Sequence, residues 1–342
     1  MNSLAEQLPE KVDASGIEVS KIYFCIGVTA WFAASSIILW PSTSSILNIW
    51  ATSNTYLYGM IIPPISLALI LRLERNTDRI HLVGNVDGLA AIGIFGVMWL
   101  LGRMIDVNFV HHLALVGLIS SSIAVFAGAQ NTRNWLFPLG FLLFTAPAGG
   151  VFQPMLQEVA TNVTVFLLKT TGFDVERAGS ILTTTAGRFD VTPACAGLNF
   201  LLAAIITALL VSHLSFKSIR KSLVFLSLCI VVAIISNWLR IYLIVTAATL
   251  SDMSLGIGAD HLWFGWILFA AAISVLIWRA KHYADEDLTP HRIYSKPIAK
   301  TYHPMLLAFV VFSILVSLRT VDYFLRANDL VSLFTFPSTS VA

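Results

Sequence analysis

Cys195, Arg240 and His261 are the residues whose types and settings suit catalysis in this chain. Cys195 stands in VTPACAGLNF, at the predicted start of an apolar helix, where the positive end of the helix dipole favours a thiolate. A thiolate attacks an acyl carbon and holds it as a thioester. His261, in GADHLWFGW, suits a general base or acid, because imidazole titrates near neutral pH. Arg240, in SNWLRIYL, keeps its charge and is suited to stabilising an oxyanion or clamping a carboxylate. Asp190 and Asp260 lie close by in sequence, and either is placed to orient the imidazole. Asn199 falls one helical turn from Cys195 on the same face, a candidate donor to an oxyanion or to a peptide.

Each of these residues also has an ordinary reading. A cysteine in an apolar helix is usually a small core residue, and that reading is kept for Cys25 and Cys229. An arginine near a span end snorkels to the interface. Against this, Arg240 has apolar neighbours, and no other Lys or Arg stands between Lys221 and Arg279. His261 also reads as an interfacial histidine, and His111-His112 are the rival base. Asp87, at the start of an apolar run, is either a pairing partner inside a bundle or a sign that the run begins later.

The elements that carry these residues follow from composition. Of 342 residues 57% are hydrophobic and 12% are charged, against roughly 25% charged in soluble domains. Such a chain is built for lipid rather than water. A net charge of +2, with no basic stripe interleaved with aromatics, leaves no footprint for nucleic acid. Three cysteines give neither a disulfide framework nor a CxxC metal pair, so no cofactor or metal is expected. Nine apolar runs are long enough to span: 22–40, 55–71, 86–102, 111–129, 134–149, 196–212, 222–239, 262–278 and 304–318. Prolines and a Gly pair make 134–149 the weakest. The fold class expected is all-α, a polytopic membrane protein with about eight to nine transmembrane helices. No internal repeat and no loop of soluble-domain size is visible.

With the N-terminus in the cytoplasm, 14 of the 21 Lys and Arg residues fall in inner segments. Residues 1–20 are polar and hold four acids, so the first run reads as a retained anchor rather than a cleaved signal. The expected organisation is a cytoplasmic tail 1–21, a membrane domain 22–280, a cytoplasmic loop 281–303, and an extra helix with a short outer tail, 304–342. One long outer loop, 150–194, precedes the cysteine. Its first half, Met155 to Thr171, repeats apolar residues (Leu156, Val159, Val163, Leu167, Leu168) at helical spacing. Its second half, Phe173 to Thr192, reads as a strand pair or extended segment. This topology puts Cys195, Arg240 and His261 at one depth on the outer side, at the ends of three successive spans.

In this order and spacing, Cys195-Ala196-Gly197-Leu198, Asn237-Trp238-Leu239-Arg240 and His261-x-x-x-Gly265 resemble the motifs of the exosortase/archaeosortase family of multi-spanning cysteine transpeptidases. The resemblance covers roughly 22–280, with its motif core at 174–266. It implies that Cys195 is the nucleophile, His261 the acid/base and Arg240 the electrostatic partner, and it adds Asn237 to the supporting residues. The implied substrates are exported proteins ending in a sorting signal: a short motif, a transmembrane helix and a basic tail. The enzyme would cut at the motif and pass the new carboxyl terminus to an amine acceptor or to water. The site would face the periplasm across an inner membrane, or the exterior in an archaeon. Many members carry Ser after the cysteine. This chain has Ala196, so that hydroxyl is missing.

The alternative function is a membrane transporter or channel. It calls for charge near the bilayer midplane and repeated halves, and only Asp87 approaches this. A lipid-linked sugar transferase would need acidic residues in an early outer loop, and 41–54 contains no charge. GxSxG, HExxH and paired intramembrane aspartates, the marks of other membrane proteases, are absent.

Overall fold

The structure is a computed structural model that describes residues 17–75, 79–253, 260–285 and 301–328; of residues 260–264 and 301 it describes the backbone only. Most of the expected tail 1–21, of the loop 281–303 and of the outer tail thus lies outside the described residues. The helices are α1 (Lys21–Ile38), α2 (Trp40–Thr52), α3 (Ile62–Leu73), α4 (Gly88–Met104), α5 (Asn108–Asn134), α6 (Leu136–Phe141), α7 (Gln153–Thr170), α8 (Leu198–Ser215), α9 (Ile219–Leu250), α10 (Asp260–His282) and α11 (Pro304–Ala327).

The chain is mostly helical, and each of the nine apolar runs falls on helix. Among the described residues five helices are long and apolar enough to cross a membrane, or six if the segments Leu136–Thr145 and Gly150–Thr170 count as one span. The figure of eight to nine is therefore not established. Two of the expected spans, Leu57–Leu73 and Gly88–Met104, are short apolar helices, and 134–149 breaks into short pieces. Large apolar side chains face outward along many helices, including Ile94, Phe309 and Leu223. In water this would be costly, but against lipid tails it costs nothing.

Two compact units make up the chain. The first holds residues 1–53, 57–148 and 290–342. Its centre is α5, which is mostly buried and packs against α2, α4, α6 and α11. Short antiparallel strand pairs, Ile17–Ser20 with Arg79–Leu82 and Gly84–Asn85 with Thr301–Tyr302, tie the loops together. The expected uncharged loop 41–54 is the helix α2. Its Ser42 and Trp50 face inward: Ser42 accepts from Trp99 Nε1 (2.9 Å), and Trp50 Nε1 donates to the Thr145 carbonyl (3.0 Å). Asp87 marks the boundary of α4 rather than a buried charge. It stands at the N-cap position, and its carboxylate accepts from Asn85 Nδ2 (3.0 Å).

The second unit holds residues 54–56 and 149–289. Its α7 fills the expected helical half of the long loop. Ala160, Thr161, Thr164 and Leu168 point inward, whereas Val159 and Phe166 are exposed. In lipid, small and weakly polar residues pack between elements while larger apolar ones look outward. The second half is a three-stranded antiparallel meander, β4 (Val175–Ala178), β5 (Ile181–Thr184) and β6 (Gly187–Asp190), one strand more than a pair. Arg177 on β4 bonds Glu158 (2.7 Å) and Asn162 on α7, holding the meander to the helix.

Two cores stabilise this unit. One packs α8, α9 and α10 through Phe200, Ala204, Ala208, Cys229, Ala233 and Phe269, where small residues let the helices approach closely. The other packs α7, the meander and the C-terminal part of α9 through Leu168, Leu182, Val191, Ile241 and Val245. Cys229 is a core residue, as expected. At 32 residues α9 is about 48 Å long, well beyond the ~30 Å hydrocarbon thickness. Arg240 therefore lies inside a continuous helix, not at its end. The charge was read as a boundary, but the helix continues to Leu250.

Candidate active site

The segment that carries the cysteine is held from both sides. The meander ends at Asp190, and Pro193–Ala196 form a single 3₁₀ turn with Cys195 on it. The Cys195 N–H donates to the Thr192 carbonyl (2.8 Å), closing the turn. Gln153 and Gln157, one turn apart on α7, donate to the carbonyls of Pro193 (2.9 Å) and Val191 (2.6 Å). The turn is thus fixed by side-chain amides that have no sequence motif of their own. Only the spacing of two glutamines on an apolar helix hints at them.

Cys195 stands just before α8 rather than in it. Gly197, with φ +82°, turns the chain in the left-handed region and serves as the N-cap position of α8. A side chain there would be strained by φ alone. It would also collide with Asn237, since a Cβ on Gly197 would sit 2.5 Å from Asn237 Cγ. Asn237 uses this closeness to donate its Nδ2 to the Cys195 carbonyl (3.0 Å). Its Oδ1 is buried without a hydrogen-bond partner among the described residues.

One turn further along α9, Arg240 is 4% exposed. Its guanidinium lies over the Phe200 ring (5.5 Å to the centroid) and within electrostatic reach of the Cys195 sulfur. Its Nε is buried and lacks a hydrogen-bond partner among the described residues. Among the described residues no carboxylate pairs with it, whereas Arg103, Arg177, Arg319 and Arg326 each pair with one. Burying a cation without its counter-ion is expensive, so the position of Arg240 needs a compensating anion.

The third motif closes on the same arginine. A Cβ on Gly265 would lie 2.5 Å from Arg240 Nε and 2.6 Å from its Cδ. The glycine is what lets α10 pass the arginine stem. His261 lies on the first turn of α10, one helical turn before Gly265. The side chains of His261 and Asp260 lie outside the described residues.

The three motifs therefore interlock through side chains and glycines: Gly197 against Asn237, Asn237 on Cys195, Arg240 against Gly265. Thr192 is a residue the sequence reading passed over. Its hydroxyl points at Cys195 Sγ (3.6 Å), giving the sulfur the hydroxyl neighbour that Ala196 does not supply. Asp190 instead accepts from Ser180 (2.7 Å) at the end of the meander. Asn199 is half-buried on the first turn of α8. His111 and His112 belong to the first unit, where they bond Asn108 (3.1 Å) and Ser45 (3.0 Å). Among the described residues no group of three His, Cys, Asp or Glu side chains is placed to hold a metal ion.

A family model described as transmembrane exosortase matches residues 50–278, more than half of the chain and all three motifs. No curated protein and no solved structure matches it.

Proposed function

The chain belongs to the transmembrane exosortase family, and from that premise we propose that it is a cysteine transpeptidase with Cys195 as nucleophile. The observation that carries the reading is the buried Arg240 within electrostatic reach of the Cys195 sulfur, with no carboxylate partner among the described residues. A thiolate is the anion that this cation lacks, and a carbonyl oxygen that gains charge during attack is the next.

In the proposed reaction Cys195 Sγ attacks the carbonyl carbon of a peptide bond in the sorting signal of an exported protein. The C–N bond breaks, and the thiol proton passes through His261 to the departing amine. The upstream chain remains on Cys195 as a thioester. An amine acceptor or water then attacks, its proton returns to Sγ, and the chain leaves with a new carboxyl terminus. Arg240 steadies the sulfur and the oxyanion, Thr192 donates to the sulfur, and Asn237 holds the cysteine turn in place. Asn199 is a further oxyanion donor, and Asp260 orients His261. Asp190, engaged with Ser180, supports the turn rather than the imidazole.

The signal carries a short motif, a transmembrane helix and a basic tail, so the site lies on the outer face of an inner membrane with the N-terminus in the cytoplasm. The test compares mature C-terminal peptides of envelope proteins in wild-type and Cys195→Ala cells. Retention of hydrophobic, basic tails in the mutant is expected. Unchanged C-termini, with the mutant protein made and inserted, would remove Cys195 from the chemistry.

A further inference from the structure

Beside the cysteine turn lies a cavity of about 170 Å³. Met155, Leu156 and Val159 of α7 form one wall, Leu201 of α8 another, and Ile234 and Trp238 of α9 the rest. Ala196 and Gly197, the two residues after Cys195, complete the lining together with Asn237. Met155 and Val159 are exposed, so the cavity opens on the outward side of α7. Asn237 is the polar group in this apolar lining. It is 3% exposed, its Nδ2 is spent on the Cys195 carbonyl, and its Oδ1 is left without a donor among the described residues. A buried acceptor without a donor is costly, so the site is built to receive an N–H.

We propose that this cavity is a substrate subsite: it takes one apolar side chain next to the reacting carbonyl, and Asn237 Oδ1 accepts the backbone N–H of that same residue. The inference rests on the nucleophile reading of Cys195 and adds what the site selects. An apolar wall rejects a charged or polar side chain because its hydration would be lost without replacement. The acceptor sets the register of the peptide, since only one N–H reaches it when the side chain is seated. Specificity at this position therefore comes from residues of α7 and α9 that carry no motif.

The test uses the full-length protein in lipid nanodiscs and small alkylating probes: iodoacetamide, and the chloromethyl ketones of N-acetylglycine, N-acetyl-leucine and N-acetylphenylalanine. In each ketone the sulfur–carbon bond forms as carbon–chlorine breaks, chloride leaves, and the thiol proton goes to buffer. Rates are read by mass spectrometry on the Cys195 peptide and divided by the iodoacetamide rate of the same variant. Leucine is expected to exceed glycine by at least tenfold, which is about what seating two of its four side-chain carbons gives at about 0.8 kcal/mol each. Val159→Trp, which fills the cavity, should bring the ratio to within twofold, and Leu156→Ala, which enlarges it, should shift the preference toward phenylalanine. An N-methylated leucine probe should lose its advantage in the wild type and lose nothing further in Asn237→Ala. Reaction of Cys195 with iodoacetamide but no preference for leucine, or a preference untouched by both cavity variants, overturns the subsite alone. A Cys195 that iodoacetamide does not alkylate overturns the nucleophile reading and the subsite with it.

Discussion

Arg240 occupies the space that a Cβ of residue 265 would need, with its Nε 2.5 Å from that position. In an exposed helix interior, Gly→Ala stabilises by about 1 kcal/mol, because alanine gives up less conformational entropy. At position 265 the sign should reverse. Gly265→Ala pushes the guanidinium off Phe200 and away from the Cys195 sulfur. Losing one charge-stabilising donor in an active site costs about a hundredfold or more in turnover. Gly265→Ala is therefore expected to lose sorting activity to about the extent of Arg240→Ala while still inserting in the membrane. Near-normal processing by Gly265→Ala would mean that the position of Arg240 is unimportant.

Thr192→Val keeps the shape of the side chain and removes the hydroxyl that points at Cys195 Sγ. A hydrogen bond of this kind contributes about 1 kcal/mol, which is about fivefold in rate. Iodoacetamide should alkylate Cys195 about fivefold more slowly in this variant at neutral pH, and Thr192→Ser should restore the rate. Equal rates in all three proteins would assign the hydroxyl to turn geometry alone.

Asp285 fastens the end of α10 to the turn between α8 and α9. Its carboxylate takes the Lys221 ammonium and the Lys217 backbone N–H (2.7 Å). Those partners, the Lys221 bond above all, hold its carboxyl below the usual carboxylate range. A depressed value means that the contribution is complete above the unfolded pKa, about 4, and disappears as pH falls through the folded value. Asp285→Asn should therefore melt lower than the wild type at pH 7, and the gap should narrow at pH 3. A gap of equal size at both values would show that charge is not what the carboxylate contributes.

Much of this architecture was legible in the chain, because helices in lipid are written as long apolar runs and each run falls on helix. Cys195, Asn237 and Arg240 were also legible as a group, and the structure gathers them around one turn. What escaped has physical causes. The helix α2 is rich in Ser and Thr, and its Ser42 faces the core bonded to Trp99, so polarity there does not mean a loop. Arg240 looked like the end of a span because charge normally sits at the interface, yet α9 carries it in mid-helix. The amides of Gln153 and Gln157 and the hydroxyl of Thr192 act on neighbours 3 to 40 residues away, at distances no local pattern records.

The central claim is that an acyl group passes through Cys195, and the most direct measurement looks for it there. The protein is extracted from cells making its exported substrates, quenched in acid and digested, and the Cys195 peptide is weighed with and without hydroxylamine. The account predicts a hydroxylamine-labile adduct on Cys195, absent from Cys25 and Cys229, whose mass ends in the new C-terminus of an exported protein. Continued cleavage of those proteins in Cys195→Ala cells, with no such adduct in the wild type, would contradict it.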